Sequence, residues 1–527
     1  MITRFSIVTL VLFILSITLV IRPVSIPIRI PRLGRKKIPI NLTTTPPAII
    51  AILWASQCLG PTQIRDGIVG TEGVKPYNIL ILFFSLAYMA ITLDVTGILQ
   101  AQLSGGWKLY FYFYLMLTAL SVLLGNDPVI LSGTVFLVYY TSATQLEPMP
   151  WLIAEFSAAN TASMVLFVGN PTNVVICEGF AINNVAFTAY TILPFLACNI
   201  ACFLALAIQF RDKKHIPRQL RATGKLNPRG VLRDPGGALV GSLILGSCLV
   251  VIIIVSFFNI DVWKISLPFA DIKEDPATTD NDDPMLSEFK RAMTLPPAGE
   301  AGQPERRATF GSSERTRTNT VNTQLTSEIT EKPTPSDSSE TIQVFSGTRR
   351  HLKAKHDLLA AHFPTFFTAL PRLPFALVPF AFSQFILIEA LQHQGWIEVF
   401  ADWLSKASHG QIHSSIWLIG VIGVLMCNVA GTNIGATILL TKVVRAASLS
   451  SESTRAAGIA LAVASNIGAV SFTFSASLAG LLWRAILKQK GITIHQTQFA
   501  FWNLLPILVM TSVGLGVVSA EMAVLYR

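Results

Sequence analysis

The sequence predicts an all-α fold, a polytopic membrane protein made of a duplicated unit that carries a hairpin and a broken helix. Three observations predict it. The 527 residues are 51% hydrophobic and only 13% charged, with mean hydropathy +0.54, and the apolar residues fall in runs long enough to cross a bilayer. One run, Val165–Ile176, places Gly169, Asn170, Pro171, Thr172 and Asn173 together near the depth of the bilayer midplane. Several motifs of the first half return, in the same order, in the second.

Taken in order, the apolar segment Phe5–Ile21 follows Arg4 and leads into IRPVSIPIRIPR without a small-residue cleavage pattern, so it reads as a retained first helix. The next loop carries Arg22, Arg29, Arg32, Arg35, Lys36 and Lys37 and no acid. That excess places it in the cytoplasm and the amino terminus outside. A short second crossing runs over Pro46–Leu59, and a third, Pro76–Leu99, contains Asp94. In Trp107–Ser142 two apolar arms are joined by Gly125, Asn126 and Asp127 with no polar loop. The arms read as shorter than the ~20 residues of a span, which predicts a re-entrant hairpin. Crossings at Trp151–Ile176 and Val185–Phe210 lead to a second basic loop, cytoplasmic by the same rule.

Gly236–Phe258 reads as another span, and Val262–Ala270 as the start of a further helix. Asp271–Arg350 is rich in Asp, Glu, Ser, Thr and Pro, a composition that cannot bury enough apolar surface to fold. The chain thus divides into a transmembrane repeat over 1–258, a disordered linker over 259–372 and a second repeat over 373–527. The linker lacks an Asn-x-Ser/Thr acceptor, in keeping with a cytoplasmic position. Apolar character returns at Leu373–Leu391, a second hairpin at Ser414–Val444, and crossings at Thr454–Leu487 and Phe499–Ala520.

The repetition is specific. Asp94 at the end of its helix is answered by Glu389. VLLGND is answered by VLMCNV, which pairs Asn126 with Asn428 and Asp127 with Val429. AANTAS is answered by ASNIGA, which pairs Asn160 with Asn466 and sets Gly169-Asn170-Pro171 opposite Ser475-Ala476-Ser477. TILPFL at Thr191–Leu196 matches NLLPIL at Asn503–Leu508. Repeated interrupted segments are the sequence pointer to a secondary transporter's binding site, because a helix broken at membrane depth must be buried or line a wet cavity. A plain proline kink is the simpler reading of Gly-x-Pro, but two asparagines flanking Pro171 argue against it, since unpaired amides are costly in hydrocarbon.

On LGNDPVIL, GNPTN and ASNIGAVSFTFSASLAGLLWRAIL, the chain resembles the arsenite permease family of the ion transporter superfamily, whose relatives include citrate and sodium–dicarboxylate carriers. The resemblance implies inverted repeats, hairpins entering from opposite faces, a homodimer and an elevator-like motion. It departs at Phe472, Thr473 and Phe474, where relatives carry Pro and Gly, and at the second tip, Cys427-Asn428-Val429.

The expectation is a secondary carrier for a small anion or metalloid oxyacid, coupled to protons, with a sodium-coupled citrate or dicarboxylate symporter as the alternative. Its polar site would comprise Asn126, Thr134, Gly169, Asn170, Thr172, Asn173, Asn428, Thr432, Asn433, Asn466, Ser475 and Ser477, with helix N-termini offering positive dipole ends to an anion. Intramembrane carboxylates are functional candidates by default. Asp127, Asp94 and Glu389 are the coupling candidates, and Glu155 reads as interfacial, near a helix start. No metal cofactor is expected, because the six cysteines show no ligand spacing and read as small core residues. The net charge of +10 lies mostly in loops and reports orientation, not nucleic-acid binding. A channel would need a ring-forming filter motif and an enzyme a nucleophile–base or metal constellation. Neither pattern stands in the apolar segments. The membrane concerned, plasma or organellar, is not specified by the sequence.

Overall fold

Local capping chemistry sets where the helices start. The computed structural model describes residues 2–30, 34–85 other than 72 and 83, 106–217, 263–270 and 377–526, together with Phe375 and scattered positions between 243 and 251. Helix α1 (Arg4–Ile21) is capped by Thr3, whose hydroxyl accepts from the Ser6 N–H. The loop after it contains a short antiparallel ribbon, β1 (Val24–Ile30) and β2 (Gly34–Ile40), with Val24 opposite Ile40. This is the one departure from all-α structure among the named elements.

The second crossing expected over Pro46–Leu59 is instead α2 (Thr45–Ala55), an 11-residue helix too short to span. The chain turns at Gln57, with φ of 59°, and restarts at Pro61 as α3 (Pro61–Val69), using proline at a first-turn position where its missing N–H is harmless. Residues 86–105, including Asp94 in the expected third crossing, lie outside the described residues, as do most of Gly236–Phe258 and all of Asp271–Arg350. Of the Val262–Ala270 segment, Trp263–Ala270 is a short helix, α9. The described helices belong to one unit, Met1–Thr279 with Thr368–Arg527.

The first repeat's core is α4 (Gly106–Leu124), α5 (Asn126–Ala143), α6 (Pro148–Ala162), a 3₁₀ turn at Phe167–Gly169, α7 (Pro171–Gly179) and α8 (Asn184–Gln209). The second begins with α10 (Leu377–His393) and α11 (Trp396–Ser408). It continues through α12 (Ile412–Val429), α13 (Asn433–Ala446), α14 (Ser451–Ala469), a 3₁₀ turn at Phe474–Ala476, α15 (Leu478–Gln489) and α16 (Gln496–Leu525). Pro194 and Pro506 occupy matching places inside α8 and α16. By length and composition α1, α4, α8, α12 and α16 can each cross a membrane.

The hairpin arms α4 and α5 are 19 and 18 residues long, so their length gives no ground for a re-entrant turn. The tip itself is covered by protein, with Asn126 and Asp127 each only 4% exposed.

Packing interleaves the halves. Each hairpin lies along its own broken helix, α4 and α5 on α6, α12 and α13 on α14, and α8 packs along α16. Each hairpin's second arm also reaches the opposite half, α5 against α15 and α13 against α7. The α12–α14 seam is close because it is lined with small residues. A Cβ on Gly423 would stand 3.0 Å from the Ala464 Cβ, and one on Gly468 2.8 Å from the Cys427 Cβ. All six cysteines are free and buried, as core residues should be.

A polar candidate site where both broken helices meet

The chain leaves helical geometry after Ala162 because the following carbonyls find side-chain partners. Asn173 donates its amide to the Ser163 and Leu166 carbonyls, both at 2.8 Å, and the Thr191 hydroxyl donates to the Val165 carbonyl at 3.2 Å. Backbone groups freed at membrane depth thus stay paired. The stretch is also sterically closed, since a Cβ on Gly169 would collide with the Ser163 carbonyl. Helix α7 restarts at Asn170, whose side chain accepts from the Thr172 N–H at 3.2 Å. This is ordinary N-cap chemistry.

The second break uses the complementary solution. Asn428 Oδ1 accepts from the Phe472 N–H at 2.8 Å and the Thr473 N–H at 3.2 Å, so it pairs freed donors instead of freed acceptors. Ser477 caps α15, accepting from the Gly480 N–H at 3.1 Å and donating to the Ala469 carbonyl at 3.3 Å.

These caps correct the alignment of the repeats. Asn170 and Ser477 are equivalent N-caps, each just after a 3₁₀ turn, so Gly169 corresponds to Ala476 and not to Ser475. At the hairpin tips the shift is larger. Gly125 and Gly431 both have positive φ, 84° and 73°, at the turn into the second arm, directly before α5 in the first hairpin and one residue before the Thr432 cap of α13 in the second, so Asn126 and Asp127 correspond to Thr432 and Asn433. Asn428 and Val429 belong to the end of the preceding arm.

Asn466 joins the two halves. Its amide donates to Asn173 Oδ1 at 2.8 Å and to the Ala462 carbonyl at 2.9 Å. Its Oδ1 accepts from the Ser163 hydroxyl at 2.9 Å and from Asn170 Nδ2 at 3.2 Å. Both donors and both acceptor positions of the carboxamide are therefore used. Beside it the Ser465 hydroxyl donates to Thr172 Oγ1 at 3.2 Å. The first hairpin tip is tied in through Asn126, which donates to Asn160 Oδ1 at 3.0 Å.

Of the residues expected at the site, Asn170, Thr172, Asn173 and Asn466 form this one network, with Asn126 tied to Asn160 on the helix leading into it. Asn428, Ser475 and Ser477 belong to the second break, and Thr432 and Asn433 to the second tip, where the Thr432 hydroxyl accepts from the Ile434 N–H. Thr134 lies away from these amides, bonded to Glu155. Glu155 itself is fully buried, 0% exposed, and stands in the middle of α6, not near its start. Glu389 is held in a buried ion pair with Lys442, at 2.6 Å, and accepts from Thr71 at 2.6 Å. Sequence reasoning missed Ser163, Ser465, Thr191 and Lys442; Ser163 and Ser465 stand within the repeated AANTAS and ASNIGA motifs, which is the signal that marks them.

Few polar atoms here are left to take a ligand. Asp127 Oδ1 and Ser475 Oγ, one at the first tip and one in the second break, are buried without a hydrogen-bond partner. The N-termini of α13 and α15 and one unpaired carboxyl oxygen offer donors to an anion and an acceptor to a proton or cation.

The citrate transporter family model (CitMHS) matches residues 5–294, more than half of the chain. Among solved structures, the chain is similar to the crystal structure of the YdaH transporter of Alcanivorax borkumensis. The two share 12% identity at a TM-score of 0.45, over 98% of this chain and 97% of that one.

Proposed function

As the chain belongs to the citrate transporter family, we propose that it is a secondary active carrier of citrate-like carboxylate anions, coupled to protons through Asp127. The family description favours a carboxylate over the metalloid oxyacid expected from the motifs. The observation that carries the site assignment is the Asn466 carboxamide, which holds the first unwound segment through Asn170 and Asn173 while sitting on the second broken helix. Solute bound beside it would feel both repeats at once, the arrangement alternating access needs.

The starts of α13 and α15 supply N–H groups for carboxylates, and Asp127 supplies the acceptor for the co-transported proton. A homodimer with an elevator-like motion remains part of the proposal. The test is uptake of labelled citrate into proteoliposomes under imposed pH or sodium gradients, with succinate and arsenite as competitors. Saturable citrate uptake driven by a pH gradient is expected. Uptake driven by sodium alone would replace the proton in this reading, and competition by arsenite but not succinate would restore the oxyacid substrate.

A further inference from the structure

Glu155 is a buried carboxyl that the proposed mechanism leaves unused and that, unlike Glu389, has no cationic partner among the described residues. It lies on α6 at 0% exposure, and no cationic side chain among the described residues is within ion-pair distance of it. The Thr134 hydroxyl of α5 stands 3.1 Å from both Oε1 and Oε2. A hydroxyl carries one hydrogen, so both contacts are hydrogen bonds when the carboxyl supplies the second. The carboxyl O–H then donates to Thr134 Oγ1 while the threonine hydroxyl donates to the other carboxyl oxygen. Room for this ring exists because residue 133 is glycine; a Cβ there would lie 2.5 Å from Glu155 Oε1. Trp483 of α15 also faces the carboxyl, and its indole N–H is buried without a partner.

On these grounds we propose that the Glu155–Thr134 pair, with Trp483, is a second proton-binding site of the carrier. The bound form is the neutral carboxyl. Release passes one H⁺ to water admitted as α5 parts from α6, leaving a carboxylate to which the Thr134 hydroxyl and the Trp483 N–H can both donate. Unpaired charge at this depth is expensive, so the seam is tight with the proton on and strained with it off. The same α5–α6 seam carries the Asn126–Asn160 bond at the hairpin tip, which links proton release to movement of the tip.

Among the described residues no other ionisable group intervenes. Tyr110 and Tyr114 of α4 and Cys202 of α8 interact among themselves. Arg484, next to Trp483, is turned over the Phe474 ring at 4.9 Å. Asp127 is about two helical turns away along α5, roughly 10 Å of rise. The elements α14 and α16, also packed on α6, place no charge on the carboxyl.

This inference rests on the proton-coupled reading for its transport arm. The experiment measures the proton-to-citrate flux ratio in proteoliposomes of wild type, E155Q and D127N, with citrate exchange at equal pH as the control for folding. E155Q keeps a hydrogen-bonding partner for Thr134, so exchange should persist while the ratio falls by one proton relative to wild type. An unchanged ratio overturns the proposal and leaves the citrate reading intact; absence of citrate uptake in wild type overturns that reading instead. A second measurement does not depend on the substrate: the infrared carbonyl band of a protonated carboxyl, recorded on purified D127N so that the tip carboxyl makes no contribution, should be present in D127N, lost in D127N/E155Q and moved in D127N/T134V. Its absence from D127N, or its persistence in D127N/E155Q, overturns the proposal.

Discussion

Asn173 and Asn170 are neighbours with different work, and single substitutions should separate them. Asn173→Ala strands the Ser163 and Leu166 carbonyls in the interior, at roughly 1–3 kcal/mol each. It should therefore lower the melting temperature as well as transport. Asn170→Ala removes a cap worth about 1 kcal/mol and the bond to Asn466, so transport should fall far more than stability. Parallel melting in detergent and citrate uptake checks both; equal thermal losses would mean Asn170 is scaffold too. Asp127→Asn preserves shape at the tip while removing the ionisable oxygen that has no partner. Its uptake should lose its response to pH, and an unaltered pH–rate profile would move the proton away from the tip. The Asn-rich motifs were legible in the sequence because buried amides need partners. Which partner each amide takes was not, since Asn466 bonds across some 300 residues of chain.

Helix starts, not apolar strings, set the correspondence between the repeats. The echoes VLLGND and VLMCNV are real, yet the glycines with positive φ show that the second tip begins at Gly431, a few residues further on. Apolar runs match one another in several registers at little cost, whereas only a cap or a left-handed glycine marks where a helix begins. Helix α11 went unread for a related reason: its charges, with Lys406 paired to Asp402 at 2.6 Å, disguise an amphipathic segment among membrane-grade ones. The small-residue seam between α12 and α14 gives the prediction at this scale. Gly468→Val would drive a side chain into Cys427 and push the second hairpin off its broken helix. Expression of folded protein, followed by size-exclusion chromatography, should drop sharply, and Cys427→Ala should recover part of it.

At the scale of the molecule, Lys442 ties the second hairpin to α10 and to the chain after α3. Its ammonium is bonded to Glu389 at 2.6 Å and to Thr71 at 3.1 Å. Removing one member of a buried pair leaves the other uncompensated, at about 3–5 kcal/mol. Lys442→Met alone should therefore lower the melting temperature markedly, while Lys442→Met with Glu389→Gln should restore most of it. If the double variant melts no higher than the single one, the pair is not what holds α13 to α10. The sequence signalled Glu389 but not its partner, because a lone lysine near the end of a hairpin arm looks like an interfacial anchor.

The reciprocal packing of α5 on α15 and of α13 on α7 also has a consequence for biosynthesis. Helix α5 is complete once Ala143 has been made, but the surface that covers it begins at Leu478. At ~5–20 residues per second, the first hairpin waits roughly 20–70 s for its partner. For that interval the newborn amino-terminal half carries an unfilled seam containing Glu155 and Thr134. Its survival then depends on how quickly the ribosome delivers the carboxy-terminal half, so synonymous slow codons between the repeats should raise degradation without altering one residue of the finished carrier.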